Sequence, residues 1–119
     1  EVYVRPFPAG GRARKVSRNG GCQPRWSRAG DELFFVSGSA LHSARTAVSP
    51  DLVIGAPEAL FEHAGLAAAS PFFTNYDLAA DAQSFVLVET VTTAAARGSS
   101  SIVRVVENWW AEVPRPLDR

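Results

Sequence analysis

The chain has a single thiol, Cys22, and two imidazoles, His42 and His63, that would have to serve as its base. A nucleophilic cysteine acts as the thiolate and needs a base brought within hydrogen-bond reach by the fold. Neither histidine lies in a recognisable catalytic motif, so Cys22 reads as a buried or passive thiol. The two histidines are 21 positions apart with no third ligand between or beside them, which argues against zinc. Asp77 and Asp81 are of the right type for acid–base or cation chemistry. Asp81, however, falls in a turn, where Asp commonly accepts local backbone N–H groups. A calcium site needs about six to eight oxygens, and no loop has that density. No serine sits in a Gly-x-Ser-x-Gly elbow, and no lysine follows a Gly-rich loop at phosphate-binding spacing. The expectation is a chain with no catalytic, cofactor-binding or metal-ligating residue and no bound cofactor.

Charge is the other chemical feature. The net charge is zero, but residues 1–28 hold seven basic side chains against one acid, a net +6, which leaves −6 for the rest. Arg12, Arg14 and Lys15 form its densest part and are candidates for partner contact. They stand in a Gly-rich stretch without interleaved aromatics, so a surface for stacking bases is missing and nucleic acid is not the expected partner. The acidic remainder can also neutralise this segment within the molecule. Trp109 and Trp110 are the second candidate surface, because Trp is enriched at binding hot spots. Neighbouring residues of a helix point in different directions. Trp109 is therefore expected to pack inward and Trp110 to face a partner.

At 119 residues and 46% apolar content the chain has the size and composition of one soluble globular domain. Its longest apolar runs are too short to cross a bilayer. With one cysteine the fold must hold by burial alone. The chain starts on Glu1 and holds no methionine, which reads as a piece of a longer protein or a processed one.

The elements that would position these residues are strands. Glu1 to Phe7 alternates β-branched and aromatic residues, with Pro6 near the end of the run. A short strand fits around Lys15 to Ser17. Pro24 to Ser27 leads through the turn Arg28-Ala29-Gly30-Asp31 into Glu32 to Ser37. Leu33, Phe34, Phe35 and Val36 there would be buried on both faces. Ala40 to Val48 and Glu58 to Glu62 follow, the latter an outer strand with acids at both ends. Ala64 to Thr74 reads as a loop anchored by Phe72 and Phe73, with a short Ala-rich helix, limited by Gly65 and Pro71, as the lesser alternative. Tyr76 to Ala79, Ser84 to Thr90 and Ser101 to Val106 complete the set, and Asn108 would cap a short helix over Trp109 to Val113. The result is an all-β antiparallel meander of about nine strands.

Two stretches of this meander match each other 52 positions apart: Trp26 to Val36 and Leu78 to Val88. Each reads as strand end, tight polar turn and apolar strand, and such repeats signal one structural unit stacked on its neighbours. The pattern Pro24-Arg25-Trp26-Ser27 followed by Glu32-Leu33-Phe34-Phe35 resembles the blades of TolB-like, WD-repeat-like β-propellers. In that family the turn carries Asp-Gly. Here the first copy keeps Gly30 after Ala29, and the second keeps Asp81 before Ala82. Ala29 loses the cap, and Ala82 must either accept positive φ or change the turn type.

The likeness extends over nearly the whole chain. Glu1 to Pro8 is similar to the third strand of a blade, and Ile102 to Trp109 to the last strand and terminal Asn-Trp helix. It is strongest to the C-terminal blades of bacterial propellers attached to serine/threonine protein kinases. The resemblance implies a partial β-propeller over residues 1–119: outer strands of a preceding blade (1–21), one full blade (22–63), and an incomplete final blade with its terminal helix (64–119). The Trp26, Phe34 and Phe35 cluster would be core packing between blades. The implied function is a non-catalytic binding or scaffold module, in the sensory or regulatory setting of a bacterial kinase, with a protein partner or further blades covering its open faces. The propeller portion of a serine hydrolase or peptidase, and a self-associating β fragment without independent activity, are the alternatives. In isolation, exposed faces and unpaired edges would drive association.

Overall fold

A computed structural model describes residues 1–8, 10–47, 51–67, 72–91 and 100–106, with side chains up to residue 89. The fold is all-β, and every strand pairing is antiparallel. The described residues form ten strands and one turn of helix, arranged in three sheets.

The first sheet pairs β1 (Tyr3–Val4) with β2 (Arg14–Lys15). The second is ordered β3 (Cys22–Trp26), β4 (Glu32–Ser37), β5 (Ala40–Ala47), and β5 then pairs two partners along its length. Ala40 to Ser43 pair with β7 (Glu58–Glu62), and Thr46 and Ala47 with β6 (Val53–Ile54). The third sheet is ordered β8 (Tyr76–Leu78), β9 (Phe85–Val91), β10 (Ser100–Val106).

β4 is the centre of the packing. Side chains alternate across a strand, so its four consecutive apolar residues divide between two cores, each being 1% exposed. Leu33 and Phe35 pack with Val2 and Val16 of the first sheet segment and with Ala44. Phe34 and Val36 pack with Leu41, Phe61, Tyr76, Phe85 and Leu87. Phe85 meets Phe34 edge-on at 5.7 Å between centroids and Phe61 at 5.4 Å. The second sheet thus lies between the other two. Burial on this scale contributes roughly 1.5–3 kcal/mol for each large apolar side chain.

The 52-residue repeat is carried down to the backbone. Ser27 N–H donates to Glu32 O (2.8 Å) and Ala79 N–H to Ser84 O (2.9 Å). Gly30 N–H donates to Ser27 O and Ala82 N–H to Ala79 O, both at 3.0 Å. The cross-strand pair Trp26–Leu33 matches Leu78–Phe85, and Arg25–Phe34 matches Asp77–Val86. Gly30 has φ +76° and Ala82 φ +55°. The second turn therefore keeps its type and accepts a left-handed alanine. Capping differs between the copies. Asp81 Oδ1 accepts Gln83 and Ser84 N–H, whereas in the first turn Ser27 Oγ accepts Gly30 and Glu32 N–H. Ser27 Oγ in turn donates to Asp31 at 2.7 Å.

Several expectations are corrected. The strand β6 adds to the expected set, because two β-branched residues suffice to pair with the end of β5. The loop after β7 contains one helical turn, α1 (Ala64–Ala67), whose Leu66 is fully buried. Leu66 is the anchor there, and Phe72 and Phe73 are 86% and 75% exposed. Trp26 is 45% exposed and does not belong to either core. Its pairing with Leu33 puts it on the face toward the first sheet, which has two residues per strand and cannot cover the whole row. The expected helix over Trp109 to Val113, with Asn108 as its cap, lies outside the described residues.

Candidate functional site

Arg12, Arg14 and Lys15 make different contacts. Arg14 and Lys15 are neighbours on a strand and project to opposite faces. Arg14, opposite Val4, turns toward the second sheet, where its Nη1 donates to Leu52 O. Lys15, opposite Tyr3, turns outward and pairs with Glu1 at 2.9 Å. Arg12 is exposed on the connection between β1 and β2. Trp110, the remaining candidate for partner contact, lies outside the described residues.

Glu1 is the organiser of this region, and nothing in the sequence singled it out. Its carboxylate accepts from Ser17 Oγ, from Lys15 and from Gly20 N–H at 3.2 Å. The Ser17 hydroxyl and then Lys15 hold its pKa down to about 2. The same pair raises that of Lys15 through the hydrogen bond that its ammonium donates to Glu1. Ser17 Oγ also accepts Val2 N–H at 2.8 Å, so one buried hydroxyl ties the residues before β1 to those after β2. Glu1 thus neutralises Lys15 from within the basic segment, which keeps its net +6.

An open cleft of about 560 Å³ lies between the first sheet and the β6–β7 connection. Arg14, Lys15 and Arg18 line it with Ile54, Ala56 and Pro57. A second cavity of about 350 Å³ flanks the same connection and is lined by Glu32, Arg45 and Glu58 with Ser43 and Leu60. Basic side chains around the first and mixed charges around the second favour polar or charged ligands over a purely apolar one.

The catalytic candidates are separated. Cys22 is paired with Val36 and packs against the core shared with the third sheet. His42 is paired with Phe35 and stacks on its ring at 5.4 Å, on the opposite face of the second sheet. Burial pushes the Cys22 thiol up and the His42 imidazole down, so each favours its neutral form. His63 Nδ1 accepts Gly65 N–H at 3.1 Å. Asp77 and Asp81 both accept backbone N–H groups. Among the described residues, no three His, Cys, Asp or Glu side chains come together in a way that would hold a metal ion.

Gln23 is the polar residue that joins the second and third sheets. It sits at a bulge in β3 with φ +54°. Its Nε2 donates to Phe73 O, its Oε1 accepts Asn75 N–H at 3.2 Å, and its backbone carbonyl accepts the buried Tyr76 hydroxyl at 2.8 Å. Burial of that hydroxyl raises the Tyr76 pKa. The residue before a proline is normally extended, so the Gln23-Pro24 dipeptide conceals this bulge. The signal that was available is its spacing, since Gln23 and Asn75 are also 52 positions apart. Compared with models of protein families, with curated proteins and with solved structures, the chain matches none.

Proposed function

We propose that the chain is a non-catalytic binding or scaffold module, the C-terminal part of a TolB-like β-propeller that presents loops and clefts to a protein or small ligand. The observation that carries this reading is the repeated turn. Residues 27–32 and 79–84 share the same backbone hydrogen bonds and the same strand register, and their sheets pack face against face through Phe34 and Phe85. Successive sheets related in this way are what blades of a propeller require. A cleft bordered by the β6–β7 connection supports a loop-presented binding surface, because loops on a rigid scaffold commonly carry recognition. The regulatory part of a bacterial kinase is the setting that the resemblance favours.

Two measurements test the reading. A crystal structure should show the three sheets fanned about a common axis, with β3 and β8 innermost; two sheets closed as a sandwich would overturn the architecture. Labelling with a fluorophosphonate probe separates a scaffold from a serine hydrolase. The proposal expects no labelled serine, and saturable labelling of one residue in folded protein would overturn it.

A further inference from the structure

We infer that the cleft between the first sheet and the β6–β7 connection takes a small organic phosphate, a dianion with a carbon body. The inference rests on the reading of that cleft as a binding surface and adds the chemistry of its ligand. The two walls differ in kind. One is the unbroken run of residues 14–18, with Arg14 and Arg18 at its ends. The other is Ile54-Gly55-Ala56-Pro57, which has no charged or hydrogen-bonding side chain. Among the described residues, no acidic side chain lines the cleft.

The charges on the basic wall are not equal. Lys15 is answered by Glu1 at 2.9 Å. Arg18 is exposed, with no hydrogen bond or ion pair among the described residues. Arg14 gives Nη1 to Leu52 O, a neutral acceptor just before the apolar wall. That contact orients the guanidinium without compensating its charge, and its other N–H groups remain for a ligand. Val16 N–H turns to Val2 O, so by alternation Lys15 N–H points away from β1, at the open edge of the sheet that borders the cleft. Two uncompensated guanidinium groups call for a dianion. A phosphate monoester carries about −1.5 to −2 near neutral pH and offers three acceptor oxygens, which the guanidinium fork matches. A single carboxylate would leave one charge unanswered. The volume of about 560 Å³ exceeds what phosphate alone would fill and falls in the range of roughly 300–1,000 Å³ of small-molecule sites. The wall of Ile54, Ala56 and Pro57 is the surface for the carbon body.

The test is a titration of the full chain at fixed ionic strength in chloride, followed by NMR amide shifts, with phenyl phosphate, benzoate and inorganic phosphate as probes. Phenyl phosphate should give saturable shifts at Gly55 and Ala56. Benzoate, which lacks the second charge, and inorganic phosphate, which lacks the carbon body, should each bind several-fold more weakly. Arg18→Gln, at an exposed side chain with no contact to lose, should weaken phenyl phosphate roughly tenfold. Ala56→Asp sets an acid on the exposed apolar wall and should abolish saturation. Arg28→Gln removes the same charge from the β3–β4 turn, at a residue that does not line the cleft, and should leave the affinity unchanged. Phenyl phosphate that fails to saturate, benzoate or inorganic phosphate that binds as tightly, or an Arg28→Gln loss equal to that of Arg18→Gln overturns the inference. The fanned sheets and the unlabelled serines are read by separate measurements, so a failed titration removes the phosphate ligand and leaves the scaffold reading standing.

Discussion

The reciprocal substitutions Gly30→Ala and Ala82→Gly should move stability in opposite directions. Both positions close the same hydrogen-bonded turn, and both are left-handed, at φ +76° and +55°. A side chain with Cβ pays roughly 1–2 kcal/mol in that conformation. Alanine in place of glycine recovers about 0.4–1 kcal/mol by restricting the unfolded chain. Space is open around Gly30, with no atom within 4 Å of an added Cβ, so no clash enters. Gly30→Ala should therefore destabilise by roughly 0.5–1 kcal/mol. Ala82→Gly should stabilise by a similar amount, reduced by the loss of a methyl that is partly packed against the core, about half of the ~0.8 kcal/mol of a fully buried CH2. Urea unfolding with linear extrapolation resolves the pair, because neither change alters the surface exposed and m should stay constant. Midpoints that shift in the same direction would refute the equivalence of the two turns.

Other predictions concern the packing and the first sheet. Phe34→Ala should cost roughly 3–5 kcal/mol and Trp26→Ala, at a half-exposed site, under about 1.5 kcal/mol. A double-mutant cycle between Phe34 and Phe85, using Leu at both, should give about 0.5–1.5 kcal/mol of coupling in chemical denaturation. Gly21→Ala sets a Cβ 2.8 Å from Ser17 Cβ and 3.2 Å from the Phe35 ring, and overpacking of that kind should lower the thermal midpoint by the equivalent of about 1–3 kcal/mol. The Glu1 pKa is depressed on folding, so its contribution is present above the ordinary value of 4.5 and is lost as pH falls toward 2. The difference in urea midpoint between the native chain and Glu1→Gln should thus be full at pH 6 and shrink through that window.

Much of the architecture was legible because it is written in strong periodicities. Four apolar residues in a row, Leu33 to Val36, can only be satisfied by cover on both faces, and they receive it. Glu58 and Glu62 mark β7, which pairs with β5 along one side. The 52-residue spacing located two turns of one conformation, and the alternative that Ala82 tolerates positive φ is the one realised. What escaped had a weak or misleading local signal. Val53-Ile54 is too short to show alternation, and its pairing depends on the length of β5. Trp26 and the pair Phe72-Phe73 are large and apolar, but what covers a residue is decided by the size of the neighbouring sheet and the route of the loop. Arg14 and Lys15 read as one patch in sequence, while strand alternation sends them to opposite faces. Glu1 and Gln23 act through contacts 14 to 53 residues away, which no local pattern encodes.

The division of β4 between two neighbours is the claim on which the account stands, and ring-to-methyl NOE spectroscopy of the native chain addresses it. Phe34 should give cross-peaks to the Phe85 ring and Leu87, and Phe35 to Val16 and the His42 ring, with no exchange of partners between the two sets. Cross-peaks from both phenylalanines to the same sheet would contradict the stacking of three sheets and the repeat built on it.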